Sequence, residues 1–250
     1  MLDVLYAALE TPGLIWMVLT IAAAGIVRGF TGFGTAMIFV PVAGMFLPPA
    51  EVILVIATTG IFSTIALVPG AWKIADRGEV AALSLSAMVT VPLGLWLLSQ
   101  LDAMTIRWIV TVVVSLTLLA VVTGWRWHGR LGWPGRFAIG GAGGTIGGLT
   151  GLTGPVVIIF YLANARSAQA VRANTILFLA ATDIIITTGL FVSGQVTLVP
   201  LAIALLLSLP YLVTTLIGQS LFDPKLERFY RVSAYSVIAL AVVSGLPLFD

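Results

Sequence analysis

Glycine and threonine alternate inside two long uncharged stretches of this chain, Gly29-Phe30-Thr31-Gly32-Phe33-Gly34 and Gly148-Leu149-Thr150-Gly151-Leu152-Thr153-Gly154. Such runs can bind an anion. Each glycine weakens a helix by roughly 1 kcal/mol relative to alanine, so the clusters predict breaks. New helices then begin near Thr35 and at Pro155, proline being suited to the first helical position. A helix start carries about half a positive charge and N–H groups without intrahelical acceptors. Two starts aimed into one cavity hold an oxyanion without needing a charged side chain. Gly29, Gly32, Gly34, Gly151 and Gly154 would let backbone approach the ligand, and Thr31, Thr35, Thr150 and Thr153 would add hydroxyl donors. The competing use of the same glycines is close packing between helices.

Three charged residues join this set. Arg28 lies deep in an apolar run, where a cation needs a partner, water or a snorkelling path; its planar fork suits an oxyanion. Asp183 is the acid nearest the middle of a full-length apolar segment, and reads either as a proton carrier or as the ion-pair partner of Arg28 or Arg172. Arg166 and Arg172, with Asn164 and Asn174 nearby, flank the second hairpin and either receive an anion at the cytoplasmic mouth or fix topology. Asp102 with Arg107 and Asp223 with Arg228 recur at equal spacing, and helix capping with interfacial anchoring explains them. Catalysis finds no support: the chain has no cysteine, no metal-ligand cluster, no Ser/His/Asp set deep in a segment and no Gly-Lys-Ser/Thr loop. No cofactor is expected, and His128 reads as a solvated loop residue.

The elements that must position these residues are transmembrane helices. Hydrophobic residues make up 60% of the chain and charged ones 9%, against about 25% charged in soluble domains. Uncharged windows reach the roughly 20 residues that cross a bilayer as helix, so the fold class is an all-α integral membrane protein. The first residues carry Asp3 and Glu10 and no basic start, so the first apolar run is expected to stay in the protein. A net charge of +2 implies no nucleic-acid partner. Segments are predicted at about 13–28, 35–48, 52–71, 80–100 and 104–124, then 137–147, 155–165, 173–192, 198–220 and 229–247. The pairs around each glycine run are too short to span singly and read as hairpins that dip in, break and return.

The halves also match at Ala50-Glu51-Val52 and Gln169-Ala170-Val171, at Gly78-Glu79-Val80 and Gly194-Gln195-Val196, and at Pro92 and Pro210. This predicts a duplication, with residues 1–124 as the first repeat, 125–135 as a linker and 136–250 as the second. If each repeat is a broken hairpin plus three crossings, the two are inverted. Lys73, Arg77, Arg126, Arg130, Arg136, Arg166, Arg172, Lys225, Arg228 and Arg231 then share one side and only Arg107 lies opposite, whereas parallel repeats would split them. The positive-inside rule selects the inverted arrangement with both termini outside. Trp125, Trp127 and Trp133 beside Arg126, Arg130 and Arg136 read as an interfacial belt.

Gly25 through the first break to Pro41 and Leu47-Pro48-Pro49-Ala50 looks like the N-terminal signature of the TauE/SafE sulfite-exporter family. Gly147 through Pro155, followed by Tyr161-Leu162, resembles its C-terminal signature. Members typically carry a third consecutive glycine after the first break, where this chain has Thr35-Ala36. The resemblance implies a bacterial inner-membrane carrier that moves small sulfur-containing anions, sulfite or organosulfonates, usually outward. It carries the binding role over to the two glycine breaks and their threonines, whereas Arg28, Arg172 and Asp183 rest on the residues alone. The expectation is a secondary transporter of a small oxyanion working by alternating access in the lipid bilayer, with proton coupling through Asp183 as a hypothesis. The alternative is a passive small-anion channel or a membrane scaffold whose glycines only pack. Oligomeric state is not legible.

Overall fold

The protein is represented by a computed structural model that describes residues 2–123, 132–162, 168–221 and 227–246. Trp125, Arg126, Trp127, His128, Arg130, Asn164, Arg166, Asp223 and Lys225 lie outside them. The described residues form helices and no strand: α1 (Leu2–Leu9), α2 (Leu14–Thr31), α3 (Thr35–Ala43), α4 (Pro49–Trp72), α5 (Arg77–Gln100), α6 (Ala103–Val122), α7 (Trp133–Thr150), α8 (Gly154–Leu162), α9 (Ala168–Val192), α10 (Leu198–Ser220) and α11 (Glu227–Ser244). Each predicted segment has its helix. The short α1, packed on α10, was not foreseen, because its acids and its length hide it beside the first long apolar run.

Among the described residues, α2, α4, α5, α6, α9 and α10 are long and apolar enough to cross a membrane. α7 reaches 18 residues but is diluted by glycine, and α11 includes the apolar stretch Ala234–Ser244. Large aliphatic and aromatic side chains face outward, Val89, Trp96, Leu119, Leu209 and Leu240 among them, while Thr59, Ser63, Asn174, Thr182 and Thr215 are fully buried. This distribution suits a hydrocarbon solvent. Several interior hydroxyls are satisfied inside their own helix, Thr182 donating to the Phe178 carbonyl at 3.0 Å and Ser208 to that of Ala204 at 2.6 Å.

Two seams are built from glycine. Gly140, Gly144 and Gly148 form a ridge along α7, and a Cβ at any of them would strike α5 backbone at Leu83, Ala87 and Val91. Thr90 of α5 donates to the Gly141 carbonyl at 2.8 Å across the same seam. Gly25 and Gly29 of α2 likewise meet α10 backbone from Tyr211 to Gly218. Without a hydrophobic drive between helices in lipid, such backbone approaches supply the packing energy. α4 and α9 cross in the middle; α4 also packs on α10, and α9 on α5.

At one end of the molecule a polar cluster pins three helices. Glu79 of α5, 2% exposed, forms an ion pair with Arg136 of α7 at 3.3 Å and accepts from Asn174 Nδ2 of α9 at 3.1 Å. Asn174 Oδ1 in turn accepts the Asp76 N–H at 2.8 Å, and Asp76 caps α5 through the Glu79 N–H. Arg136 also lies over the Trp133 ring at 5.1 Å, and Arg77 over Trp72 at 5.2 Å. Asp102 caps α6 by accepting from Thr105 N at 2.9 Å, in line with the capping role read from its position.

The glycine ridge gives a direct test. Gly144→Leu forces a side chain against Ala87 backbone and is expected to destabilise by about 1–3 kcal/mol or to abolish expression. Gly70→Ala, at an exposed site of α4 with open space around it, is expected to leave the detergent-solubilised melting temperature unchanged or slightly raised. Equal behaviour of the two variants would refute the close-packing account.

Candidate functional site

Each hairpin breaks over three residues, 32–34 and 151–153. The breaks are shorter than the glycine runs, because Gly29 and Gly148 remain helical and face the seams. The two breaks are built alike. Gly32 ends α2 at φ 83° with its N–H on the Arg28 carbonyl at 2.8 Å, and Gly151 ends α7 at φ 76° with its N–H on the Gly147 carbonyl at 2.7 Å. Both glycines hold the left-handed conformation that closes a helix. Thr31 donates to the Val27 carbonyl at 2.7 Å and accepts from Phe33 N at 3.2 Å; Thr150 donates to the Ile146 carbonyl at 2.7 Å and accepts from Leu152 N at 3.2 Å. Gly34 at φ 98° then starts α3, and α8 starts at Gly154.

A pocket with about 390 Å³ of empty space, part of it continuous with the outside, is lined by the starts of both short helices: Gly34, Thr35, Ala36 and Met37 on one side, Gly151, Thr153, Gly154 and Pro155 on the other. The first N–H groups of α3 have no intrahelical acceptor by their position. Arg28 of α2, Ile56 and Gly60 of α4, Leu179 and Asp183 of α9 and Tyr211 of α10 complete the wall. Arg28 is 4% exposed and its Nε is buried without a hydrogen-bond partner, as is Asp183 Oδ2. No ion pair within 4 Å joins them, although Arg28 is close enough to act electrostatically on both Asp183 and Tyr211. The fixed Arg28–Asp183 salt bridge is therefore not formed. Gly60 is where α4 backbone meets the Asp183 carboxylate, and any side chain there would collide with it.

Of the residues singled out from sequence, Arg28, Gly34, Thr35, Gly151, Thr153, Gly154 and Asp183 line this cavity. Gly29, Thr31, Gly32, Thr150 and Arg172 do not. Gly29 packs against α10, and Thr31 and Thr150 use their hydroxyls to staple the breaks. Gly32 and Arg172 touch each other: Arg172 Nη2 donates to the Gly29 carbonyl at 2.5 Å, so its cation sits on the negative end of α2. Thr150 faces a second, mostly apolar hollow of about 370 Å³ that includes Arg107 and Val110 of α6. Arg107 reaches the Gly245 carbonyl at the end of α11, at 3.5 Å.

Sequence reading missed Tyr211 and Gly60. The Tyr211 hydroxyl, fully buried, is hydrogen bonded to Thr35 Oγ1 at 2.8 Å and so ties α10 to the tip of the first hairpin. Two signals were present: a tyrosine in mid-helix needs a partner for its hydroxyl, and Gly60 interrupts an otherwise good helical segment after Thr58-Thr59. The bond makes a measurable prediction. Thr35→Val and Tyr211→Phe should each destabilise by about 1 kcal/mol or more, and the double variant should show a coupling above about 0.5 kcal/mol in a thermal double-mutant cycle. Strict additivity would remove the bond from the folded state.

No curated protein and no solved structure matches the chain. A family model described as sulfite exporter TauE/SafE matches residues 17–245, nearly the whole length. Six apolar membrane-length helices agree with a multi-pass transporter fold. The chain belongs to the sulfite exporter TauE/SafE family of membrane transporters.

Proposed function

We propose that the protein is a secondary carrier that exports a small sulfur-containing oxyanion, sulfite or an organosulfonate, by alternating access across the bacterial inner membrane. The anion would sit between the starts of α3 and α8, with Arg28 as its charged partner and Asp183 as the proton-coupling group. The observation that carries this reading is the meeting of two helix starts, distant in sequence, with a buried arginine in one cavity. Free N–H groups and a guanidinium fork are both matched to oxyanion oxygens. Thr35 and Thr153 stand at the same cavity and can add hydroxyl contacts.

The packing supports the repeat reading. α2 pairs with α10 and α7 with α5; α4 packs on α10 and α9 on α5; α3 meets α11 and α8 meets α6. Exchanging residues 1–124 for 136–250, with 125–135 as linker, maps each of these pairs onto the other, as a two-fold relation between repeats requires. Inverted orientation with periplasmic termini follows from the distribution of basic residues. Movement of the α2–α10 unit against the α5–α7 unit, each built from helices of both repeats, would expose the cavity to each side in turn.

A thermal-shift panel of sulfite, sulfoacetate, taurine, thiosulfate and acetate on the purified chain tests the substrate class. A sulfur oxyanion at 100 times its Kd should stabilise by about 2.7 kcal/mol, and Arg28→Gln should weaken that binding at least about tenfold. Arg28→Lys should restore it only in part, because an ammonium lacks the planar fork. In proteoliposomes the flux should saturate and show counterflow. Flux without either feature would make the protein a channel, and no stabilisation by any anion would leave only a scaffold.

A further inference from the structure

Arg28 and Asp183 bring one positive and one negative formal charge to the cavity, and among the described residues no other charged one lines it. The helix starts contribute donors but no formal charge. The two groups do not cancel by pairing: no ion pair within 4 Å joins them, and Arg28 Nε and Asp183 Oδ2 each lack a hydrogen-bond partner. Nor is the carboxylate able to withdraw into α4, because it already lies against the backbone of Gly60.

The groups that face Asp183 are few. Arg28 comes from α2, the neutral Tyr211 hydroxyl from α10, and Gly60 from α4. Glu79 of α5 and Arg136 of α7 belong to the cluster at Asn174, nine residues or about 13 Å of helix away along α9. Tyr161 of α8 packs in a separate apolar cluster with Leu83 and Phe178. An anion placed beside Arg28 thus shares one narrow, largely apolar-walled pocket with the Asp183 carboxylate, where like charges repel.

Resting on the anion-carrier reading, we propose that each monovalent anion enters together with one proton, which the Asp183 carboxylate takes up, so that anion and proton cross in the same direction and without net charge movement; export is then driven by the outward gradient of the anion itself and opposed by an inward proton gradient. The balance is simple. The empty cavity holds Arg28 as a cation and Asp183 as an anion. The loaded cavity holds Arg28, the substrate anion and a neutral Asp183 carboxyl. The formal sum is zero in both, and release on the far side returns the proton with the anion. The sign follows from linkage: the anion-bound form binds more protons, so affinity rises as pH falls.

The test uses the purified full chain and methanesulfonate, a permanently ionised monoanion, so that any proton taken up is bound by the protein. Calorimetry in two buffers of different ionisation enthalpy should find about one proton absorbed per anion, with affinity rising toward about tenfold per unit of falling pH. Asp183→Asn should absorb none, bind with flat pH dependence and match or exceed the wild-type affinity at low pH. In liposomes the wild type should accumulate methanesulfonate in response to a pH gradient and ignore an imposed membrane potential, while Asp183→Asn exchanges without accumulating. Wild-type binding with no proton uptake, or uptake that survives in Asp183→Asn, overturns the proposal. Absence of methanesulfonate binding to the wild type overturns the carrier reading itself and this inference with it.

Discussion

An unwound peptide segment surrounded by hydrocarbon must have its N–H and C=O groups satisfied or enclosed by protein, and this constraint organises the molecule. The two three-residue breaks meet it locally. A left-handed glycine turns its N–H back onto the helix it ends, and the threonine before it holds the next backbone N–H. What remains open is the start of each short helix, and those starts are enclosed by α4, α9 and α10 around one cavity. The donors that are not satisfied within the hairpins are thus gathered at that cavity.

Enclosure in turn depends on the seams. α2 and α7, the arms that carry the breaks inward, have glycine where they meet α10 and α5, so the arms lie backbone to backbone with their supports. Within each run the glycines divide by position. Gly29 and Gly148 pack, Gly32 and Gly151 turn the chain, and Gly34 and Gly154 stand at the cavity. Buried charge is handled in two ways. Glu79 is surrounded by Arg136, Asn174 and a capped helix start, the full set of partners a buried carboxylate needs. Arg28 and Asp183 are each left with a buried atom unsatisfied at the cavity wall.

Much of this was legible in the residues. The ten apolar segments, the helix starts at Thr35 and Pro155, and the exceptional positions of Arg28 and Asp183 follow from composition, propensity and the cost of charge in lipid. The exact extent of the breaks did not, because a glycine that hinges and one that packs have the same letter, and only the neighbouring helix distinguishes Gly29 from Gly32. Tyr211 and Gly60 were missed for the same reason: their importance lies in contacts across 176 residues to Thr35 and between α4 and α9. The partnership of Glu79 with Arg136 and Asn174 joins three helices that no local pattern connects. Arg172 reads in sequence as an anion receiver or a topology residue, and its bond to the Gly29 carbonyl at the end of α2 is a contact that no local pattern shows.

The glycine seams also have a mechanical consequence. Where two helices meet through long side chains, one can slip past the other by exchanging rotamers, but at Gly94 and Gly148, or Gly29 and Gly218, no such side chains exist to act as bearings. Each welded pair has to travel as a single strut. Any relative movement of the two struts would then have to be taken up where α4 of one side meets α9 of the other, beside Gly60 and Asp183.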